Sequence, residues 1–236
     1  GMAAKVKFAA LAGLSVLAAF HLDPPSLHGP WMPANLAADG APIAPVVAVL
    51  GLALWCFVMA NASNFMDGSN GLAVGCLTIM LAGLVYPLLT IAMFAGDPSD
   101  AMTSQVARVL VMASIGCLAW NFRGMLNAGD TGALLLGLSF AILGAIAARH
   151  MSIWSPATLA LPFLVDVFLT LIWRARRGEN LLHAHRDHAY QLFIRAGWRH
   201  IPVAMIWWAL TASPNCPRFT IWRAFWVHCI PRTTGT

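Results

Sequence analysis

Apolar residues occupy this chain in long runs, broken at intervals by short polar stretches. No Asp, Glu, Lys or Arg occurs from Gly40 to Met66, and none from Gly68 to Gly96. A helix needs roughly 20 mostly apolar residues to cross a bilayer. Seven segments approach that length: 6–22, 41–60, 72–95, 104–121, 132–148, 151–173 and 200–214. The pattern predicts an all-α fold, a polytopic integral membrane helix bundle of about seven spans, with residues 1–214 as one membrane-embedded domain. Residues 215–236 mix Trp, Arg, Cys and Pro without a period and are left unassigned. The first run, "KVKFAALAGLSVLAAF", also has the basic start and short apolar core of a signal peptide. No clean A-x-A cleavage site follows it and many more apolar runs do, so a membrane helix is the expectation.

Composition agrees with the pattern. The chain is 59% hydrophobic and 10% charged, where a soluble domain carries about a quarter charged residues. In such a chain the net charge of +5 reports topology, not a nucleic-acid partner. Lys5, Lys7, Arg123, Arg174, Arg176, Arg177, Arg186, Arg195 and Arg199 fall on alternate connections, all on one side. The opposite connections hold only Arg149, with Arg108 just inside the fourth span. That asymmetry makes the first side cytoplasmic. The opposite loop at 23–40, rich in Pro and Gly, reads as a structured outer loop. The five cysteines show no CxxC or zinc-type spacing.

By parity, three polar segments then meet the cytoplasmic face: "NASNFMDGSNGLA" from Asn61, "NFRGMLNAGDTGA" around Asp130, and "RARRGENLLHAHRDHAYQ". Singly, each has a plain explanation. "DGSNG" is turn chemistry, Asp130 is placed to N-cap a helix starting at Gly132, and the Arg-rich stretch completes a basic loop. Gly71 and Gly75 form a GxxxG suited to helix packing. Together they point to a site. Two carboxylates and an Arg/His cluster suit Mg²⁺ bridged to a phosphate or diphosphate. Arg186 offers a fork for phosphate oxygens, and His185 and His188 can donate to phosphate or move protons near neutral pH. The histidine spacing does not suit a zinc helix. Asp166 is the only acid inside a span, which marks it as functional by default. Pairing with Arg174 or Arg177 is its structural alternative.

These motifs, in this order, resemble the polyprenyl-phosphate N-acetylhexosamine-1-phosphate transferases, also called glycosyltransferase family four. The resemblance runs from Lys5 to about His200. "NASNFMDGSNGLA" resembles the family's Asn-x-x-Asn-Phe/Leu-x-Asp-Gly-x-x-Gly-Leu-Ala signature, and "NAGDTGALLLG" its Gly-Asp-x-Gly-Ser element. "DVFLTLIWRARRGE…AHRDHAYQ" resembles a segment of the branch that starts lipopolysaccharide O-antigen chains. The resemblance implies a multi-pass enzyme of the bacterial inner membrane that uses Mg²⁺, with Mn²⁺ as an alternative. Such enzymes pass a sugar-1-phosphate from a UDP-N-acetylhexosamine to undecaprenyl phosphate at the cytoplasmic face and release UMP. It implies Asp130 and Asp67 as metal ligands, and Asp67, Asp130, His185 and His188 as catalytic residues. Asn61, Asn64, Asn70, Arg186 and Gln191 would bind substrate. A homodimer is left open.

Asn70 stands where many relatives carry a second aspartate, and Ala133 replaces a common serine. Relatives also carry an Asp-Asp pair shortly before the stretch matched by "AAKVKFAA", and no adjacent Asp-Asp occurs here. The expectation is therefore a C-terminal portion of such an enzyme, with impaired catalysis as it stands. The competing class is a transporter or channel subunit with Asp166 as an intramembrane ion site. Such proteins often show internal repeats and polar residues at mid-depth, and neither is seen here.

Overall fold

The computed structural model describes residues 4–22, 44–95, 98–149, 151, 153–180 and 187–213. Every regular element among them is a helix: α1 (Ala4–His21), α2 (Ala44–Phe65), α3 (Leu72–Ala95), α4 (Pro98–Asn121) and α5 (Gly129–Ala147). The short α6 (Trp154–Leu159), α7 (Leu161–Arg176), α8 (Ala189–Arg195) and α9 (His200–Ala212) complete the bundle. Four helices, α2 to α5, are long and apolar enough to cross a membrane, and α1 and α9 contain shorter apolar runs. The integral membrane bundle expected from the apolar runs is present. The loop at 23–40 and the tail at 215–236 lie outside the described residues.

Two of the span boundaries that differ from expectation do so for identifiable reasons. The second span does not end at residue 60 but continues as helix to Phe65. Its polar residues turn back on their own backbone: Asn61 donates to the Phe57 carbonyl and Ser63 to the Met59 carbonyl, each at 2.8 Å. No polar group is then orphaned in apolar surroundings, so the helix need not end. The run expected as one span at 151–173 is divided by a turn at Ala160 into α6 and α7. Pro162, in the first turn of α7, has no N–H with which to continue the ladder of α6.

Lipid is as apolar as the helices, so packing in a bilayer depends on close backbone approach at small residues. Gly137 of α5 shows how close. A Cβ there would stand 2.3 Å from the Ser63 hydroxyl and 2.9 Å from the Met59 carbonyl of α2. Along the same seam the Trp55 indole donates to the Ala141 carbonyl at 3.1 Å. Gly144 lets Pro156 of α6 rest on α5, and Gly75 of α3 lies against the Trp208 indole of α9. The Gly71–Gly75 pair is therefore a packing feature, as its spacing predicts. Helix α4 buries one face and turns Met102, Val109 and Met112 outward.

The reversal from α7 to α8 is closed by charge. Arg174, 6% exposed, donates to Asp187 at 2.7 Å and to the Asn180 carbonyl at 3.0 Å, and pairs with Glu179 at 3.0 Å. Arg177 reinforces Glu179 at 3.5 Å and lies over the Trp173 ring. A buried guanidinium with several acceptors holds the end of α7 to the start of α8.

Gly137→Val should abolish recovery of monodisperse protein in detergent, because α2 and α5 must separate. Gly51→Ala should be neutral, since a Cβ there meets nothing within 4 Å. Gel-filtration profiles of the two variants test the seam. Arg174→Met should lower the thermal midpoint by roughly 5–10 °C, the loss of one member of a partly buried ion network. Arg174→Lys should not restore it, because an ammonium cannot reproduce the guanidinium fork.

Candidate active site at one end of the bundle

Residues 66–71 join α2 to α3 as a tight polar loop. The Asp67 N–H donates to the Asn64 carbonyl at 3.3 Å and the Leu72 N–H to the Ser69 carbonyl at 3.1 Å. Gly71 sits at φ +79°, a conformation other residues resist. The rest of the loop's backbone is answered from other elements. Asn121, closing α4, accepts the Gly71 N–H at 2.7 Å, and Trp208 of α9 donates to the Gly71 carbonyl at 2.9 Å. The Ser69 hydroxyl meets His200 Nδ1 at 2.9 Å.

The second loop, 122–128, is tied to the first through the same asparagine. Asn121 donates onward to the Leu126 carbonyl at 2.8 Å, and Asn70 lies beside Gly124. Helix α5 then opens at Gly129, whose N–H donates to the Asp67 carboxylate. Asp130 follows, half-exposed, and forms an ion pair with Lys7 of α1. Burial pushes the Asp67 carboxyl up to about 6 from 3.8. The Gly129 hydrogen bond opposes the rise, and the nearby charge of Asp130 adds to it.

The third segment packs against the first. Asp166 of α7 is buried and accepts the Ala189 N–H at 2.8 Å through Oδ1. The Thr170 hydroxyl lies 3.4 Å from the same oxygen and His188 Nδ1 3.6 Å. His188 is 2% exposed and stacked between Phe65 and Tyr190. The Tyr190 hydroxyl donates to the Phe65 carbonyl at 3.0 Å, accepts the Gln191 amide and lies against Gly68. Burial raises the Tyr190 phenol's pKa above its ordinary range, and the charge of Asp166 adds to the rise. Between α7, α8 and α9 runs an apolar groove of about 620 Å³, walled by Leu161, Val165, Trp173 and Trp207 with Asp166 and Asp187 in its lining.

The structure thus brings Asp67, Asn70, Asp130, His188 and Gln191 to one end of the bundle. Asn64 is partly buried in the last turn of α2, and the Asn61 side chain is spent on its own helix. His185 and Arg186 lie outside the described residues. Two local readings are corrected. Asp130 does not cap a helix at Gly132: α5 begins at Gly129, with no side-chain cap at Ala128, and Asp130 turns to Lys7. Nor does Asp166 pair with Arg174, whose partners are Asp187, Glu179 and the Asn180 carbonyl.

Lys7, Asn121, Tyr190 and Trp208 complete the site but were not singled out for it by sequence. A signal existed for two of them. Tyr190 is one of only two tyrosines in the chain, and Asn121 is the amide that closes the apolar run at 104–121. Among the described residues no three His, Cys, Asp or Glu side chains gather as a metal cluster. Mg²⁺ does not require one, since it takes one or two carboxylates and completes its shell with water and phosphate oxygens. Asp67 and Asp130 fit that demand, and the Lys7 ammonium already marks the locality as one that takes positive charge.

Comparison with known proteins agrees with the family that the motifs resemble. A decaprenyl-phosphate N-acetylglucosaminephosphotransferase of Mycobacterium tuberculosis is 30% identical over 176 residues, covering 67% of this chain and 43% of the relative. A phospho-N-acetylmuramoyl-pentapeptide-transferase of Kocuria rhizophila is 28% identical over 197 residues, 75% of this chain and 50% of the relative. A protein of Bacillus subtilis named "probable undecaprenyl-phosphate N-acetylglucosaminyl 1-phosphate transferase" is 26% identical over 155 residues, 62% and 40% respectively. The chain therefore spans half or less of the length of these curated relatives. The profile of glycosyl transferase family 4 matches residues 1–148, taking in the Asp67 and Asp130 loops, and the chain belongs to that family.

Proposed function

We propose that this chain carries the transfer site of a polyprenyl-phosphate N-acetylhexosamine-1-phosphate transferase. A phosphate oxygen of undecaprenyl phosphate attacks the β-phosphorus of a UDP-N-acetylhexosamine. The bond from that phosphorus to the bridging oxygen breaks, and UMP leaves. The observation that carries the reading is the meeting of Asp67, from the α2–α3 loop, and Asp130, from the first turn of α5, at one end of a membrane bundle. Two carboxylates held together in a half-buried place favour a cation between them. Mg²⁺, when bound, neutralises charge on the transferring phosphoryl group.

Asp67 and Asp130 would hold that ion. The Lys7 ammonium, released from Asp130, would be free to face a phosphate, while His185 and Arg186 contact the diphosphate. The groove between α7, α8 and α9 suits the polyprenyl chain. Its walls are aliphatic and indole, and its lining includes Asp187 beside the Arg174 and Arg195 cations. The excess of Lys and Arg at this end supports a cytoplasmic face in a bacterial inner membrane. The alternation of His185, Arg186, Asp187 and His188 supports a UDP-N-acetylhexosamine donor, as in the priming of O-antigen chains, over a peptidoglycan-precursor donor.

The protein in its native membranes should release UMP from UDP-N-acetylhexosamine and undecaprenyl phosphate only with Mg²⁺ or Mn²⁺. Asp130→Asn should reduce the rate about 100-fold or more, with expression unchanged. Release that survives EDTA, or full activity in Asp130→Asn, would sink the reading. Faster release from a UDP-N-acetylmuramoyl-pentapeptide donor would overturn the O-antigen assignment and leave the transferase standing.

A further inference from the structure

We propose that Tyr190 is the positioning residue for Asp67, and that Gly68 is glycine in order to admit its hydroxyl. The inference deepens the transferase reading and rests on it for what Asp67 does. Its grounds are geometric. One phenolic oxygen donates to the Phe65 carbonyl and lies against Gly68, where a Cβ would stand 2.2 Å from it. Those two residues bracket Asp67 in the chain. Gripping one and packing on the other fixes where the Asp67 backbone stands.

Tyr190 is itself rigidly held. It is fully buried, with His188 stacked on one side at 6.0 Å and Trp207 edge-on at 6.4 Å. Asp166 anchors the preceding residue by accepting the Ala189 N–H. Gln191 adds a second hydrogen bond to the hydroxyl at 3.0 Å. A continuous set of contacts thus runs from buried Asp166, through Ala189 and Tyr190, to Phe65 and Gly68 on either side of Asp67.

Gly68 supplies the second observation. Among the described residues, the positive-φ glycines are at 71, 124, 129, 178 and 197, so Gly68 is not needed for backbone freedom. It is needed for space. A Cβ there would stand 2.2 Å from the Tyr190 oxygen, 3.2 Å from Cζ and 3.4 Å from the Gln191 amide nitrogen. The tightest of these clashes disappears when the hydroxyl is removed. Gly68 and the Tyr190 oxygen are therefore a matched socket and plug.

The test uses Tyr190→Phe, Gly68→Ala and the double variant of the full chain in lipid nanodiscs. The first readout is modification of Asp67 by a water-soluble carbodiimide without metal, quantified by peptide mass spectrometry. The second is Mn²⁺ affinity by electron paramagnetic resonance. Tyr190→Phe should label Asp67 several-fold faster and weaken Mn²⁺ about 5–10-fold, the equivalent of one hydrogen bond, with little change in thermal midpoint. Gly68→Ala should impair labelling control, metal affinity and stability together, and adding Tyr190→Phe should recover part of the stability. Unchanged labelling and Mn²⁺ affinity in Tyr190→Phe would overturn the proposal, as would Gly68→Ala behaving as wild type. If wild-type protein binds no Mn²⁺ while labelling still responds to Tyr190→Phe, the metal role of Asp67 fails and the positioning role stands.

Discussion

A backbone that leaves its helix beside a bilayer must find partners for its N–H and C=O groups, and this requirement organises the site. Between α2 and α3 the chain cannot satisfy itself. The Phe65 carbonyl is taken by Tyr190, the Gly71 N–H by Asn121 and the Gly71 carbonyl by Trp208. These partners come from α8, α4 and α9. The loop is therefore a junction on which three other elements converge. The apolar seams bring helices together, but it is this set of polar obligations that aligns their ends.

Charge at the same end is handled in two contrasting ways. Arg174 is surrounded by Asp187, Glu179 and the Asn180 carbonyl, and its electrostatics are nearly closed. A network of that kind holds a chain reversal and has little capacity left for a ligand. Asp67 and Asp130 differ. They come from separate elements and feel each other's charge, and only Asp130 pairs with the nearby ammonium from α1. A fold that keeps two carboxylates in proximity with incomplete compensation carries an electrostatic cost. That cost is what makes the place receptive to a cation and to phosphate.

Much of this was legible in the sequence because the governing rules are local or periodic. Apolar run length located the main spans, and counting spans placed the three polar segments at one end. Local rules also misled where a distant residue prevailed. Asp130 looks like a cap from its neighbours, yet its partner Lys7 is 123 residues away. Asp166 was marked by being an acid within an apolar run, which is a sound cue. Its partner could not be guessed from the arginines next in sequence, because the N–H of Ala189, 23 residues on, is what it accepts instead. Asn61 and Ser63 read as the start of a loop, but back-bonding to Phe57 and Met59 kept them helical. Asn121 and Trp208 were invisible for a further reason. They bond to backbone atoms, and backbone atoms carry no sequence signature.

The two glycines of "DGSNG" show what a motif can and cannot convey. Gly71 is required by conformation, at φ +79°, and any turn of this shape would ask for it. Gly68 is required by space, because a phenolic oxygen from a helix more than a hundred residues later occupies the volume of its Cβ. Written as letters they are alike, and turn chemistry explains both equally well. Only the fold separates them. The first glycine makes the loop possible, whereas the second makes the loop fit one tyrosine. A motif that combines the two describes a turn already shaped to its partner, which is why its aspartate can be held in one place at the edge of a membrane.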